Sequence, residues 1–310
     1  MRGTALASVI VNVGIVITGG AVRLTGSGLG CPTWPQCTDN SYTPSPALGI
    51  YGTIEFGNRM LTFVVGLVAV GGIILALLDR PRRTRLVRLA VLVFIGVCAQ
   101  AVIGGVSVRT KLNPDVVGGH FLISIGLIAA AYAFWRATTE SDEPVRPTVP
   151  RPLRTLTAVL TVASIAVIFV GTLVTGSGPH AGDAAAARNH LNPATISQVH
   201  ADLVFLLIGL TVATWFAFRA VGERQATVTW LIGIIAAQGL IGFVQYLTNL
   251  PAILVGAHMA GACAVWVATL GVLYATRTRL PAPASPHAAH PVPHPAPAGE
   301  LDVRVPAETA

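Results

Sequence analysis

Three histidines lie inside long apolar segments of the chain, namely His120, His200 and His258. An ionisable side chain is costly at such a position and therefore indicates function. Each histidine lies six or seven residues from one end of its segment, which is about 10 Å along a helix. His200 and His258 thus lie at equal depth on two helices, where their imidazoles could be the two axial ligands of one haem iron. A lone buried histidine more often hydrogen-bonds to a neighbouring helix, but three at matched depth favour haem ligation.

The first half of the chain lacks a histidine at one of the two positions that correspond to His200 and His258 of the second half. Where the second half has His200, the first half has Asn58, and asparagine is a poor ligand for iron. His120 is therefore predicted to be the one strong ligand there, leaving an open iron face that suits a substrate or reaction site. Glu55 lies one turn before Asn58 on the same helical face and is the candidate catalytic carboxylate. The alternative for Glu55 is a structural ion pair with Arg59, four residues later.

Two cysteines lie close together in the loop after the first apolar segment. Cys31 and Cys37 are separated by Pro-Thr-Trp-Pro-Gln, and outside the cytoplasm such a pair can form a disulfide. A loop this small adds little to global stability, so a redox role and a structural clamp are equal alternatives.

The composition indicates a membrane protein. Of the 310 residues, 53% are hydrophobic and 11% are charged, and the mean hydropathy is +0.69. Soluble domains carry about 25% charged residues, so a soluble enzyme is excluded. Four cysteines without a CxxC pair exclude a covalent c-type haem and a zinc ribbon. The net charge of +7 resides in short loops, so the expected partner is the lipid bilayer and not a nucleic acid.

Eight segments are long and apolar enough to span a bilayer, which takes about 20 residues of helix. They lie near 5–22, 54–78, 87–108, 115–135, 155–175, 194–218, 227–248 and 251–275. Residues 225–276 contain no charge, and residues 248–251 (TNLP) supply the turn that divides them. Fifteen of the twenty basic residues fall on one side, which predicts that this side, with both termini, is cytoplasmic. The first segment has no small-residue cleavage site and is expected to be retained.

An internal repeat divides the eight segments into two halves. Residues 24–28 (LTGSG) return as 174–178 (VTGSG), 99–104 (AQAVIG) as 237–242 (AQGLIG), and 118–120 (GGH) as 256–258 (GAH). Four helices separate the members of each pair, so the two halves share one orientation. The predicted fold is all-α and integral to the membrane, with eight transmembrane helices in two pseudo-symmetric four-helix bundles. The expected domains are 1–136 with the substrate site, a cytoplasmic linker at 137–153, 154–280 with the two-histidine haem, and a disordered Pro/Ala/His tail at 281–310.

These residues together resemble the haem A synthase family over nearly all of residues 1–280. The resemblance rests on Cys31 and Cys37, residues 54–59 (IEFGNR), 119–120 (GH), 178–183 (GPHAGD), 198–202 (QVHAD) and 256–258 (GAH). It implies oxidation of a methyl group of haem O to the formyl group of haem A, through hydroxylated intermediates, for terminal oxidases. It also implies a b-type haem in the C-terminal half, the substrate haem in the N-terminal half, and roles for Glu55 and the loop cysteines.

The sequence departs from that family at Asn58, where many relatives have histidine, so two-histidine ligation of the substrate haem is not expected here. The implied partners are haem O and the haem O synthase that supplies it, in the plasma membrane of a bacterium, and an oligomer is compatible with the sequence. Two alternatives remain open. One is a membrane haem transporter or chaperone without chemistry of its own, and the other is a dihaem cytochrome b that oxidises quinol.

Overall fold

Eight helices dominate the computed structural model, which describes residues 1–223 and 225–279. They are α1 (Arg2–Leu24), α2 (Gly49–Leu78), α3 (Thr84–Arg109), α4 (Pro114–Ala137), α5 (Arg151–Ser177), α6 (Pro193–Ala220), α7 (Ala226–Leu247) and α8 (Ala252–Ala275). Within the described residues, all eight are long and apolar enough to cross a membrane. The predicted set of eight spans is therefore confirmed, and α2 begins five residues before the predicted start near residue 54, directly after a short 3-10 helix.

The helices form two rings of four. In the first ring each of α1, α2 and α3 packs on the helix that follows it, and α4 closes the ring against α1. In the second ring α5 to α8 repeat this arrangement, with α8 packed against α5. The helices α2 and α4 thus face each other diagonally across the first ring, as α6 and α8 do across the second. The rings meet through α1, α4, α5 and α8, and the predicted pair of bundles is confirmed.

The repeat extends to the tight turns that join α3 to α4 and α7 to α8. Lys111–Leu112 and Asn249–Leu250 all have positive φ, between 53° and 61°, a conformation that is uncommon for residues other than glycine. In each turn the N–H of the leucine donates to a carbonyl five residues earlier, Ser107 at 2.8 Å and Gln245 at 2.7 Å. The second of these turns lies where the sequence predicts it, at 248–251.

Asparagine caps fix where two of the histidine-bearing helices begin. The Oδ1 atom of Asn113 accepts from the first free N–H groups of α4, and Asn192 does the same for α6. The proline that follows each asparagine suits the first position of a helix. Because these caps set the helix start, they also set the depth of His120 and His200 below it.

Apolar clusters fill each ring, and a further cluster joins the two. Its buried members are Val16, Ile125, Ile128, Tyr132, Ile168, Cys263, Trp266, Leu270 and Tyr274. At its centre the indole N–H of Trp266 on α8 donates to the carbonyl of Ile125 on α4 at 2.9 Å. This buried hydrogen bond links the two halves of the molecule.

The linker between α4 and α5 is an ordered segment. Its residues Arg146–Pro147 (β1) pair antiparallel with Arg277–Thr278 (β2), which follow α8. Glu140 lies within 4 Å of Arg85, Arg136 and Arg279, and so joins charges from both halves. We call this end of the molecule the linker end, and the opposite end, which carries residues 25–48 and 178–192, the loop end. The tail predicted to be disordered at 281–310 lies outside the described residues.

Replacement of Trp266 by Phe should destabilise the protein, because it removes the hydrogen bond between the halves but keeps most of the apolar contact. The expected loss in the free energy of unfolding is about 0.6 kcal/mol, the average for hydrogen bonds between membrane helices, and at most about 1.7 kcal/mol. Thermal unfolding in detergent measures it. The matched control is Trp230→Phe, since Trp230 is 73% exposed on α7 and should tolerate the change. Equal effects of the two replacements would contradict the interpretation.

Candidate functional site

One cavity brings the candidate residues together. It has a volume of about 870 Å³ and is lined by residues of both rings, among them Glu55, Asn58, His120, His200 and His258. Sites for small molecules and cofactors typically measure about 300–1,000 Å³. All five side chains that the sequence singles out inside the helices therefore line one space, which is large enough for a sizeable ligand.

Two of the histidines face each other across the second ring. His200 on α6 and His258 on α8 have ring centroids 6.4 Å apart, with the ring planes at 66°. A bond from an imidazole nitrogen to a metal is about 2.0–2.1 Å long, so two imidazoles on opposite sides of one metal have centroids about 6.3 Å apart. The pair therefore has the separation that suits two axial ligands of one iron.

A glutamine and a glycine on α7 place His258. The amide of Gln238 donates to the backbone carbonyl of His258 at 2.7 Å. One turn later, Gly242 leaves space for the imidazole, because a Cβ there would lie 3.0 Å from a ring carbon of His258. On α5, Gly171 does the same for His200, with a corresponding distance of 3.2 Å.

The first ring repeats this arrangement around His120. Gln100 on α3 donates to the carbonyl of His120 at 3.1 Å and also contacts the hydroxyl of Ser124. Gly104, four residues after Gln100, lies against the His120 ring, where a Cβ would be 3.5 Å from a ring carbon. The AQxxIG repeat thus supplies a glutamine and a glycine that contact His120 in the first ring and His258 in the second. Sequence reasoning missed this role, although the spacing of twenty residues from glutamine to histidine in both halves is a signal that could have revealed it.

In the described part of the chain, one nitrogen of each of the three imidazole rings is buried without a close hydrogen-bond partner. The Nδ1 atoms of His120, His200 and His258 are buried and lack a partner among the described residues. Buried polar atoms in proteins are nearly always hydrogen-bonded. The unpartnered Nδ1 atoms are compatible with a bound group that the histidines would hold. Within the described residues these histidines belong to no cluster of three or more His, Cys, Asp or Glu side chains that could hold a metal ion.

Glu55 is buried at the loop end of α2, with 5% of its surface exposed. One carboxylate oxygen accepts from Arg59 at 2.6 Å, and the other accepts from the backbone N–H of Cys31 at 2.6 Å. The ion pair with Arg59 is therefore formed, and it partly offsets the cost of burying the charge. Glu55 still lines the cavity, so its carboxylate has both a structural partner and access to a ligand.

Arg59 also holds the loop that contains the cysteines. Its guanidinium donates to the carbonyls of Cys31, Thr33 and Gln36 at 3.0–3.1 Å. The sulfurs of Cys31 and Cys37 are bonded as a disulfide, as expected from the sequence. These contacts fix the loop over the end of α2.

Trp34, in the middle of the disulfide loop, reaches into the first ring. Its indole lies against Gly105 on α3, where any Cβ would clash with the ring. Trp34 also lines the cavity, so the disulfide loop forms part of the cavity wall. The function of this tryptophan was not apparent from the sequence, because nothing local relates it to α3.

The loops of the two halves are joined above the cavity. Arg23, at the end of α1, donates to the carbonyls of Thr175 and His180 at 2.8 and 2.5 Å. The N–H of Gly28 donates to the carbonyl of Gly182 at 2.8 Å. The repeated LTGSG and VTGSG segments therefore lie near the contact between the halves, where they close the loop end.

Comparison with known proteins is consistent with this geometry. The sequence profile of the cytochrome oxidase assembly protein family matches residues 2–48 and 50–270. The chain belongs to this family. It is 27% identical to a protein named heme A synthase from Symbiobacterium thermophilum, over 81% of this chain and 89% of that protein. A heme A synthase from Azorhizobium caulinodans is 25% identical over 83% and 88% of the two chains, and one from Exiguobacterium sibiricum is 30% identical over 52% and 54%.

Alkylation should detect the disulfide directly. In unreduced, denatured protein only Cys98 and Cys263 should react, whereas reduction should add Cys31 and Cys37. A double Cys→Ser variant lacks this cross-link and should therefore show a more mobile loop by hydrogen exchange. Mass spectrometry of the alkylated peptides measures the first effect. Four reactive thiols before reduction would contradict the assignment.

Proposed function

We propose that the protein is a haem A synthase, which oxidises a methyl group of haem O to the formyl group of haem A for terminal oxidase biogenesis. The observation that carries the proposal is the facing pair of His200 and His258, which lines the same cavity as His120 and Asn58 of the first ring. The chain also belongs to the cytochrome oxidase assembly protein family. The names of the relatives support the same activity. The enzyme would then be an oxidoreductase.

The second ring would hold the cofactor, a b-type haem. His200 and His258 fit this role by their separation and by their unpartnered, buried Nδ1 atoms. Gly171 and Gly242 add the space that the imidazoles need. A haem with two histidine ligands has no open iron face, so it would supply single-electron transfer. The protein's contribution is to hold the imidazoles of His200 and His258 in place through the helix contacts described above.

The first ring would bind haem O as the substrate, with His120 as the iron ligand. Asn58 lies at the position that corresponds to His200 and offers no imidazole. The iron would therefore keep an open face, in contrast to the second ring. Because of this difference, the first ring would be a reaction site and the second ring an electron-transfer site, although both have the same arrangement of helices.

Glu55 is the residue that we assign to proton transfer. Oxidation of the methyl group to a formyl group would break two C–H bonds and remove four electrons overall, and the protons that leave the carbon would need an acceptor. Among the described residues that line the cavity, Glu55 is the one carboxylate. Its partner Arg59 would keep the carboxylate oriented while protons pass.

The expected location is the plasma membrane of a bacterium, with both termini in the cytoplasm. The eight helices make the chain a multi-pass membrane protein, and the basic residues concentrate at the linker end. The loop end with its disulfide would then face the oxidising side. A haem O synthase would be the partner that supplies the substrate.

A double Cys→Ser variant at Cys31 and Cys37 tests the role of the disulfide. If the variant retains haem but has no turnover, the disulfide has a redox role. If the variant keeps full activity, the disulfide is only a structural clamp.

Replacement of either His200 or His258 by Ala should abolish the low-spin haem spectrum of the purified protein, because a single imidazole cannot satisfy both axial positions. Absorption spectra of oxidised and reduced protein measure this. The control is His190→Ala, since His190 lies in an exposed loop and should leave the spectrum unchanged. An unaltered spectrum in both cavity variants would refute the assignment.

Haem extraction tests the activity and the role of Glu55 together. Cells that express the protein with a source of haem O should accumulate haem A, and Glu55→Gln should still bind haem O yet yield little or no formyl product. The replacement keeps the shape of the side chain but removes its charge. Chromatography of the extracted haems detects the products, including a hydroxylated intermediate.

The matched control for this experiment is Asp115→Asn, which removes an exposed carboxylate at the start of α4 and should give wild-type yields. Wild-type yields from Glu55→Gln would instead make the carboxylate purely structural. Bound haem without any oxidised porphyrin in the wild type would favour a transporter or chaperone. Low-spin haem in both rings would favour a quinol-oxidising cytochrome b.

A further inference from the structure

Asn58 is held in one orientation by a residue of the neighbouring helix. The hydroxyl of Thr18 on α1 donates to Oδ1 of Asn58 on α2 at 2.7 Å. The same hydroxyl lies farther, at 3.2 Å, from the carbonyl of Ile15 one turn earlier in α1. The contact joins residues forty positions apart in the chain. It therefore fixes the side-chain amide relative to the first ring.

With its oxygen engaged, Asn58 presents its amide nitrogen. Within the described residues no protein acceptor hydrogen-bonds to Nδ2. Gly19 on α1 is its neighbour, since a Cβ there would lie in van der Waals contact with Nδ2, at 3.9 Å. Asn58 and Gly19 both line the cavity. The free N–H groups of this amide thus border the space across the ring from His120.

An amide nitrogen donates hydrogen bonds but has no lone pair available for a metal. An imidazole nitrogen does have such a lone pair, so His200, at the matching position of the second ring, could be a ligand where Asn58 could not. An iron porphyrin bound to His120 would therefore have one protein ligand, and a hydrogen-bond donor would stand over its other face. Such a donor stabilises a small polar ligand on the metal, as hydrogen bonds to partly charged groups generally do.

We infer that Asn58 is a hydrogen-bond donor to a small exogenous ligand on the open iron face of the haem held by His120, and that Thr18 is its positioning residue. This inference rests on the proposed function, because it takes the first ring to be the haem O site. It goes beyond that function by assigning a ligand-binding role to Asn58 and a separate role to Thr18. The first-ring haem should then bind small ligands that the second-ring haem rejects.

Carbon monoxide is the probe. Full-length protein purified with both haems and then reduced should bind one CO for every two haems, while the low-spin spectrum of the second ring remains. Asn58→His should lose most of this binding, because an imidazole would occupy the open position. Asn58→Leu should still bind CO, but with the C–O stretching frequency shifted upward, since a donor near the ligand weakens the C–O bond. Infrared or resonance Raman spectra measure the shift.

Thr18 provides a matched pair of variants. Thr18→Val keeps the shape of the side chain and removes the hydroxyl, so it should shift the C–O frequency in the same direction as Asn58→Leu, by a smaller amount. Thr18→Ser keeps the hydroxyl and should retain the wild-type frequency. The second-ring spectrum in each sample reports whether the variant has folded. If Asn58→Leu fails to fold, the Thr18 pair still decides the question.

Three results would overturn the inference: no CO binding by the wild type, an unchanged frequency in Asn58→Leu, or equal frequencies in Thr18→Val and Thr18→Ser. Haem A measured in the same cells separates this from the proposed function. Haem A without CO binding would contradict the inference alone. CO binding with the expected shifts but without haem A would contradict the activity and leave the role of Asn58 in place.

Discussion

In each half, a glutamine on the third helix donates a hydrogen bond to the backbone carbonyl of the histidine on the fourth, and the site geometry depends on this contact. A polar side chain inside a bilayer is costly without a partner. The amide nitrogens of Gln100 and Gln238 find theirs at the carbonyls of His120 and His258, whereas the Oε1 atoms of both are buried without a partner among the described residues. Each bond fixes the rotation of the histidine-bearing helix about its own axis. The glycine one turn after each glutamine then lets the imidazole lie toward the centre of the ring.

The two halves share this frame and differ in what stands opposite the histidine. In the second ring it is His200, at the right separation for a second axial ligand. In the first ring it is Asn58, held by Thr18. A repeated scaffold thus supports two different environments without a change of helix arrangement. Since both open into one cavity, ligands in the two rings would be near neighbours.

The loop end couples the first ring to the segment that covers it. Glu55 contacts the backbone of Cys31 and the side chain of Arg59, and Arg59 holds three carbonyls of the disulfide loop. Any change in the loop, including reduction of the disulfide, would therefore act on the carboxylate that lines the cavity. The structural and catalytic interpretations of Glu55 are compatible for this reason, since the ion pair orients a group that remains accessible to a ligand.

The sequence by itself determined the eight helices, the division into two similar halves, the candidate histidines and the cysteine pair. These features are local, because an apolar stretch of sufficient length forms a helix in a bilayer whatever its neighbours, and a repeat can be read by comparison within the chain. The turn at 248–251 is local as well, since its residue types favour it.

Only the tertiary structure decided which side chains meet. The contact of Thr18 with Asn58, of Trp34 with Gly105 and of Arg23 with the loop of the second half join residues distant in the chain. Helices in a bilayer are apolar on lipid-facing and protein-facing sides alike, so hydrophobic pattern does not reveal which faces pack together. The ordered linker and the single cavity shared by both rings follow from that packing, and therefore could not be read from the sequence.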